Sequence, residues 1–185
     1  MRTELKYPKW NHSKLMKVEI YLLRHGIAED GGAGQPDSAR ALTPEGRKKL
    51  RGVLRVARAA GVAPALILTS PFKRAVQTAH LAAELLEHKG ELLRTQALIP
   101  GSTPESVWDE IRAHKDAAQT LLAGHEPLFS HLAGYLLGCP NLRIDFKKGA
   151  LVRIDVDGFG PHPRGVLKWV LAPKLALKGA GPENG

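Results

Sequence analysis

Two histidines and two arginines stand where they could handle a phosphoryl group. Arg24-His25-Gly26 closes the short apolar run 18–23, Arg74 lies in Ser70-Pro71-Phe72-Lys73-Arg74 after the run 65–69, and His125 follows the run 120–123 and Gly124. Arginine presents a rigid fork of donors that matches phosphate oxygens, and helices starting after Ser70 and His125 would add backbone N–H groups and positive dipole ends. Neutral imidazole attacks phosphorus without a strong base, and its phosphorylated form can be hydrolysed. A histidine among such donors therefore suits phosphoryl transfer through a covalent intermediate, a reaction that asks mainly for positioning and charge stabilisation.

The elements that must gather these residues follow from the alternation of apolar runs and helix starts. Residues 18–23 read as a buried strand, and 28–41, with Gly31, Gly32, Gly34 and Pro36, as a loop. Thr43-Pro44-Glu45 opens a helix with Leu50, Val53, Leu54 and Ala57 on its apolar face. Residues 65–69 form a second strand, and Ser70-Pro71 carries the same start signal for a helix turning Ala75, Val76, Ala79, Ala83 and Leu86 inward. A third strand falls within 91–99, a helix runs from Thr103-Pro104-Glu105 to about His114, and a fourth strand spans 120–123. Another helix extends to about Leu137, and 150–156 with 166–171 read as a hairpin. Strands separated by helices imply right-handed crossovers and a mostly parallel sheet covered on both faces, with ligands at the carboxyl ends of the strands. The three junctions that carry Arg24-His25, Arg74 and His125 are such ends.

Leu23-Arg24-His25-Gly26, Leu42-Thr43-Pro44-Glu45-Gly46, the stretch Ser70-Pro71-Phe72-Lys73-Arg74-Ala75-Val76-Gln77-Thr78-Ala79, and Gly124-His125-Glu126-Pro127 occur in that order. Over residues 18–172 the sequence thereby resembles the histidine phosphatase (phosphoglycerate mutase-like) superfamily. The compact length and the short loop between the first two motifs are similar to its small, SixA-like phosphohistidine phosphatase branch. The resemblance implies an α/β fold, a three-layer αβα sandwich with a mostly parallel central sheet and a C-terminal antiparallel hairpin. It also implies that His25 is the nucleophile, that Arg24, Arg74 and His125 form the phosphate pocket, and that neither cofactor nor metal takes part. His125 is expected in its protonated form against the phosphate charge. Arg40, just before Ala41-Leu42-Thr43, matches a basic position of the small branch and is expected to line the entrance.

Larger relatives place a carboxylate between the arginine-bearing helix and the next strand, to protonate the leaving oxygen. Glu105 is the nearest candidate here, although favourable interaction with the helix dipole accounts equally for an acid at that helix start. Without an acid, good leaving groups are favoured, which points to phosphohistidine over an alkyl phosphate.

With 185 residues the chain suits one domain, placed at 15–173 between an extension at 1–14 and a tail at 174–185. A hydrophobic share of 43% and a charged share of 24% exclude wholesale disorder. The single cysteine, Cys139, excludes an internal disulfide and a Cys-based zinc cluster, and no H-E-x-x-H occurs. His12, His80, His88, His114, His131 and His162 lack any such motif and read as surface or packed residues. No G-K-[ST] follows Gly31-Gly32-Ala33-Gly34, so that stretch reads as a flexible loop and not a phosphate-cradling one.

The absence of an 18-residue apolar run and of a secretory signal leads to an expectation of a cytoplasmic protein without a membrane partner. A net charge of +9 favours anionic partners in general. An aromatic share of 5% and the lack of nucleic-acid motifs argue against nucleic acid, which leaves a phosphorylated protein or a small phosphorylated metabolite. Lys147 and Lys148 border the expected mouth and favour acidic substrates. Arg47, Lys48, Lys49, Arg51, Arg55 and Arg58 make one helix basic, either as a solvated face or as a dock for an acidic partner. A phosphatase or mutase acting on a small metabolite, and a non-catalytic phosphate-binding module, are the alternatives.

Overall fold

The computed structural model describes residues 17–179. The expected extension at 1–14, and the expected tail beyond 179, lie outside the described residues. The chain runs β1 (Lys17–Arg24), α1 (Pro44–Ala59), β2 (Leu66–Thr69), α2 (Lys73–Leu85), β3 (Leu92–Arg94), α3 (Pro104–Ala113), β4 (Gln119–Gly124), α4 (Leu128–Leu136), β5 (Leu151–Asp157), β6 (Gly165–Leu171) and α5 (Pro173–Gly179). The six strands form one sheet in the order β3-β2-β4-β1-β5-β6. β3, β2, β4 and β1 run parallel, whereas β5 and β6 are antiparallel to their neighbours.

Both faces of the central strands are covered, which is why β1 and β4 read as near-continuous apolar runs. On one face Ile20, Leu22, Leu68, Leu122 and Val152 pack with Val107, Trp108 and Ile111 of α3 and Leu128, Phe129 and Leu132 of α4. On the other, Tyr21, Leu23, Ile67, Leu121 and Leu151 pack with Leu50, Val53, Leu54 and Ala57 of α1 and Ala79, Leu81 and Ala82 of α2. The result is the three-layer αβα sandwich with a terminal antiparallel hairpin.

The helix starts are built as their residues dictate, with one exception. The Thr43 hydroxyl accepts from Gly46 N at 3.0 Å ahead of Pro44, and Thr103 accepts from Ser106 N at 3.2 Å ahead of Pro104. α2, by contrast, begins at Lys73 after Phe72, with no side-chain cap. Ser70 is therefore not the cap that its sequence signal suggests; its hydroxyl lies against His125. Ala75, Ala79 and Leu86 are buried as expected, whereas Val76 and Ala83 are half-buried.

The segment after residue 173 is also not simply a tail. Pro173 starts the short helix α5, which packs on α1 and buries Ala176 in the α1–α2 face of the core. No helix among the described residues is long and apolar enough to cross a membrane.

Candidate active site

Sheet order brings the chemistry together. β4 lies between β1 and β2, and Arg24 pairs with Gly124 in register, so His25 and His125 leave adjacent strands side by side. His25 N donates to Gly124 O at 2.9 Å and Ser70 N to Ala123 O at 3.0 Å, which continues the ladder one residue past each strand. The two imidazoles end with ring centroids 5.0 Å apart. Arg74, in the first turn of α2, is buried beside them and donates Nε–H to His25 Nε2 at 3.3 Å. Arg24 donates Nη1–H to the carbonyl of Phe146. The four residues expected from sequence thus meet at the carboxyl edge of the sheet.

His25 Nδ1 lies 2.7 Å from Gly26 O. A carbonyl only accepts, so Nδ1 carries the proton and Nε2 presents its lone pair to Arg74. Burial pushes His25 down to about 4, and the cations Arg74, Arg24 and Lys148 act in the same direction. His125, which is 1% exposed, is pushed down to about 3 by burial, helped by His25, Arg74 and Arg24. In the free protein His125 is therefore neutral, because a desolvated imidazole among cations favours that form; the expectation of a protonated His125 concerns the site with a phosphate bound. The Ser70 hydroxyl lies 2.8 Å from His125 Nε2. The Phe72 ring sits edge-on to His125 at 5.1 Å and under the Arg74 guanidinium, also at 5.1 Å.

Asp37 is a member of this cluster that sequence reasoning missed. Its carboxylate accepts from Arg74 Nη2 at 2.8 Å and from Arg40 Nε at 2.8 Å, while its carbonyl accepts from Arg74 Nη1 at 2.7 Å. Hydrogen bonds and charge from the two arginines, Arg74 first, hold Asp37 below the usual carboxylate range. Arg40, which also donates to Glu29 O at 3.1 Å, thereby reaches the cluster through Asp37, without touching either histidine. The available signal was the Asp37-x-x-Arg40 spacing in a loop bounded by Thr43-Pro44, but spacing does not tell which side chain folds back. Thr78 was quoted only within a motif; its hydroxyl donates to Arg74 O at 2.7 Å and accepts from Gly26 N at 3.3 Å, fastening α2 to the turn after His25.

Glu105 is not brought to the cluster. It lines a separate cleft of about 520 Å³ with His131, Tyr135, His162 and Pro163. His162 and Pro163 belong to the turn between β5 and β6. Since Leu23 pairs with Leu151 and Lys17 with Asp157, that turn lies at the sheet edge opposite His25. Among the described residues no group of three or more His, Cys, Asp or Glu is placed to hold a metal ion. The basic face of α1 is partly engaged within the molecule, with Lys49 on Glu45 at 2.6 Å, Arg51 on Glu84 at 2.9 Å and Arg58 on Glu87 at 2.6 Å.

A mostly parallel αβα sheet with paired histidines and arginines at its carboxyl edge defines the phosphoglycerate mutase-like class of fold. Residues 20–98 match the histidine phosphatase superfamily (branch 1). A protein of Picosynechococcus sp. without an assigned function is 31% identical over 167 residues, covering 86% of this chain and 99% of its own. The phosphohistidine phosphatase SixA of Escherichia coli strain K12 is 27% identical over 166 residues, covering 84% of this chain and 94% of its own. A solved structure of the protein histidine phosphatase SixA complexed with tungstate superposes with a TM-score of 0.76 at 26% identity, covering 85% of this chain and 98% of that one. The chain belongs to the histidine phosphatase superfamily, as a SixA-like member, and is a phosphatase.

Proposed function

We propose that the protein dephosphorylates protein phosphohistidine through a covalent intermediate at His25. The observation that carries this reading is the hydrogen bond from His25 Nδ1 to Gly26 O, which leaves the Nε2 lone pair facing Arg74. Nε2 attacks phosphorus, the Nε2–P bond forms, and the bond to the leaving group breaks with its electron pair departing on that group. Water then attacks the phosphohistidine, inorganic phosphate leaves, and Nε2 recovers its lone pair. Arg24, Arg74 and His125 hold the phosphoryl oxygens, and Arg40 steadies the rim through Asp37. Arg24 Nε and His125 Nδ1 support this assignment, since both are buried without a hydrogen-bond partner among the described residues, and a bound anion would satisfy them.

The substrate class follows from proton supply. Asp37, the carboxylate bonded to Arg74, is held ionised and is a poor acid at neutral pH. A site without a ready acid suits a phosphohistidine, whose imidazole leaves more easily than an alkoxide. The phosphohistidine phosphatase SixA of Escherichia coli, 27% identical, points the same way.

The test is phosphate release from p-nitrophenyl phosphate and from a phosphohistidine-bearing protein in metal-free buffer. Both substrates are expected to turn over, the phosphohistidine with the higher kcat/KM, and His25→Ala to lose about 10³-fold or more on each. Glu105→Gln is expected to stay within about twofold of wild type, as its separate cleft requires. Full activity in His25→Ala overturns the covalent mechanism, and a preference for small phosphoesters overturns the substrate assignment.

A further inference from the structure

We propose that the cleft beside Arg24 is a second, anion-selective subsite that receives acidic side chains flanking the phosphorylated histidine of a protein substrate. This rests on the reading of His25, Arg24, Arg74 and His125 as the phosphoryl site and adds the recognition of what surrounds the phosphoryl group.

The cleft encloses about 690 Å³ and is lined by Arg24, Lys49, Lys147, Lys148 and Lys174, with Ile27, Ala172, Pro173 and Leu177 as its apolar wall. It shares Arg24 with the phosphoryl site, and among the described residues no carboxylate lines it. The turn that carries Lys147 and Lys148 is fixed to the end of β1. Gly149 N donates to Arg24 O at 3.2 Å and to His25 O at 3.0 Å, and Arg24 N donates to Ala150 O at 3.1 Å. Gly149 makes the turn at φ +80°, a conformation that a side chain would strain. Lys148 is close enough for its charge to act on His25.

The positive charge of the cleft is only partly compensated. Lys49 pairs with Glu45 at 2.6 Å and Lys147 with Asp145 at 2.8 Å, both exposed carboxylates that an incoming anion can replace at little cost. Lys148 and Lys174 form no ion pair among the described residues.

The chemistry of the lining selects the occupant. A second phosphate pocket would repeat the buried arginine forks of the first, whereas here the charges beyond Arg24 are lysines, point charges on flexible stems. Such a ring suits carboxylates that arrive at variable spacing along a polypeptide. Among the described residues no aromatic side chain lines the cleft, so these residues offer a nucleic-acid base no stacking surface. Ile27, Pro173 and Leu177 instead offer an apolar wall to the methylenes of a glutamate or to a neighbouring aliphatic side chain.

The experiment compares two phosphohistidine peptides, identical except that one carries Glu and Asp around the phosphorylated residue and the other Gln and Asn. KM for the acidic peptide is expected to be about tenfold lower at low ionic strength, the gap closing at high salt. Lys174→Glu and Lys148→Gln are each expected to remove most of that preference, Lys174→Glu while p-nitrophenyl phosphate turnover shows that the variant is folded. Equal KM values for the two wild-type peptides, or an undiminished preference in both variants, overturns the subsite. Stronger competition by a small bisphosphate than by the acidic peptide overturns the choice of occupant. Loss of the catalytic reading is distinguishable: binding of both peptides to His25→Ala, followed by calorimetry, reports the preference whether or not His25 is the nucleophile.

Discussion

At His25 and His125, burial and cationic neighbours decide which protonation state the site holds. An ordinary imidazole titrates near 6.5, but His25 sits near 4 and His125 near 3, because desolvation and the charges of Arg74 and Arg24 all oppose the imidazolium. His25 therefore stays neutral across the physiological range, the form that the proposed nucleophilic role requires. A bound phosphate dianion changes the balance at His125, since it adds opposing charge at close range. Imidazole resonances followed by NMR are expected to show two of the histidines titrating well below 5 in the free protein. Addition of inorganic phosphate or vanadate at neutral pH is expected to move His125 toward its protonated position. Titration of both near 6.5 without ligand would show that the site is open to water.

At the scale of elements, the approach of α1 to the turn after β1 is set by Gly46. A Cβ at this position would lie 2.2 Å from Ile27 O and 2.8 Å from Ile27 N, backbone atoms two residues beyond His25. The Thr43 N–H donates to Ile27 O at 2.9 Å, so the same carbonyl fastens the helix start to that turn. Gly46→Ala must push α1 off the turn and disturb the hydrogen bond that orients His25. The expected cost is about 1–3 kcal/mol by urea denaturation, together with a lower kcat on p-nitrophenyl phosphate. An unchanged kcat would mean that the position of α1 is not transmitted to His25. α2 contributes in a similar way, since Gln77 Oε1 accepts from Leu42 N at 2.7 Å and Thr78 ties Arg74 to Gly26.

For the whole molecule, the same two histidines link stability to pH. Their folded pKa values lie below the unfolded value near 6.5, so the unfolded chain binds more protons in acid. Their contribution is complete above about 6.5 and is lost as pH falls toward 4 and then 3. Hydrogen bonds and charge from Arg74 and Arg40 hold Asp37 below the usual carboxylate range, so this carboxylate stays ionised from pH 7 to 5, where the two imidazoles act. By pH 5 each histidine forfeits about 2 kcal/mol, and Tm is expected to drop by roughly 5 to 15 °C between pH 7.5 and 5. His125→Gln is expected to flatten this slope in calorimetry at both pH values. A slope equal to wild type would place the pH dependence elsewhere.

The local elements and the residues at the strand ends were legible in the sequence because their signals are local. An apolar run that stops at Arg24-His25, a Thr-Pro-Glu start at Thr43 and another at Thr103 involve neighbours only, and each element forms there. The tertiary structure alone decided how they combine. Placing β4 between β1 and β2 sets His25 beside His125, residues 100 positions apart. It alone turned Asp37 onto Arg74, assigned Ser70 to His125 in place of a helix cap, and left Glu105 lining a cleft apart from the two histidines. These outcomes depend on contacts between distant residues and on how much water each site excludes. Both are properties of the packed chain, and no spacing in the sequence encodes them.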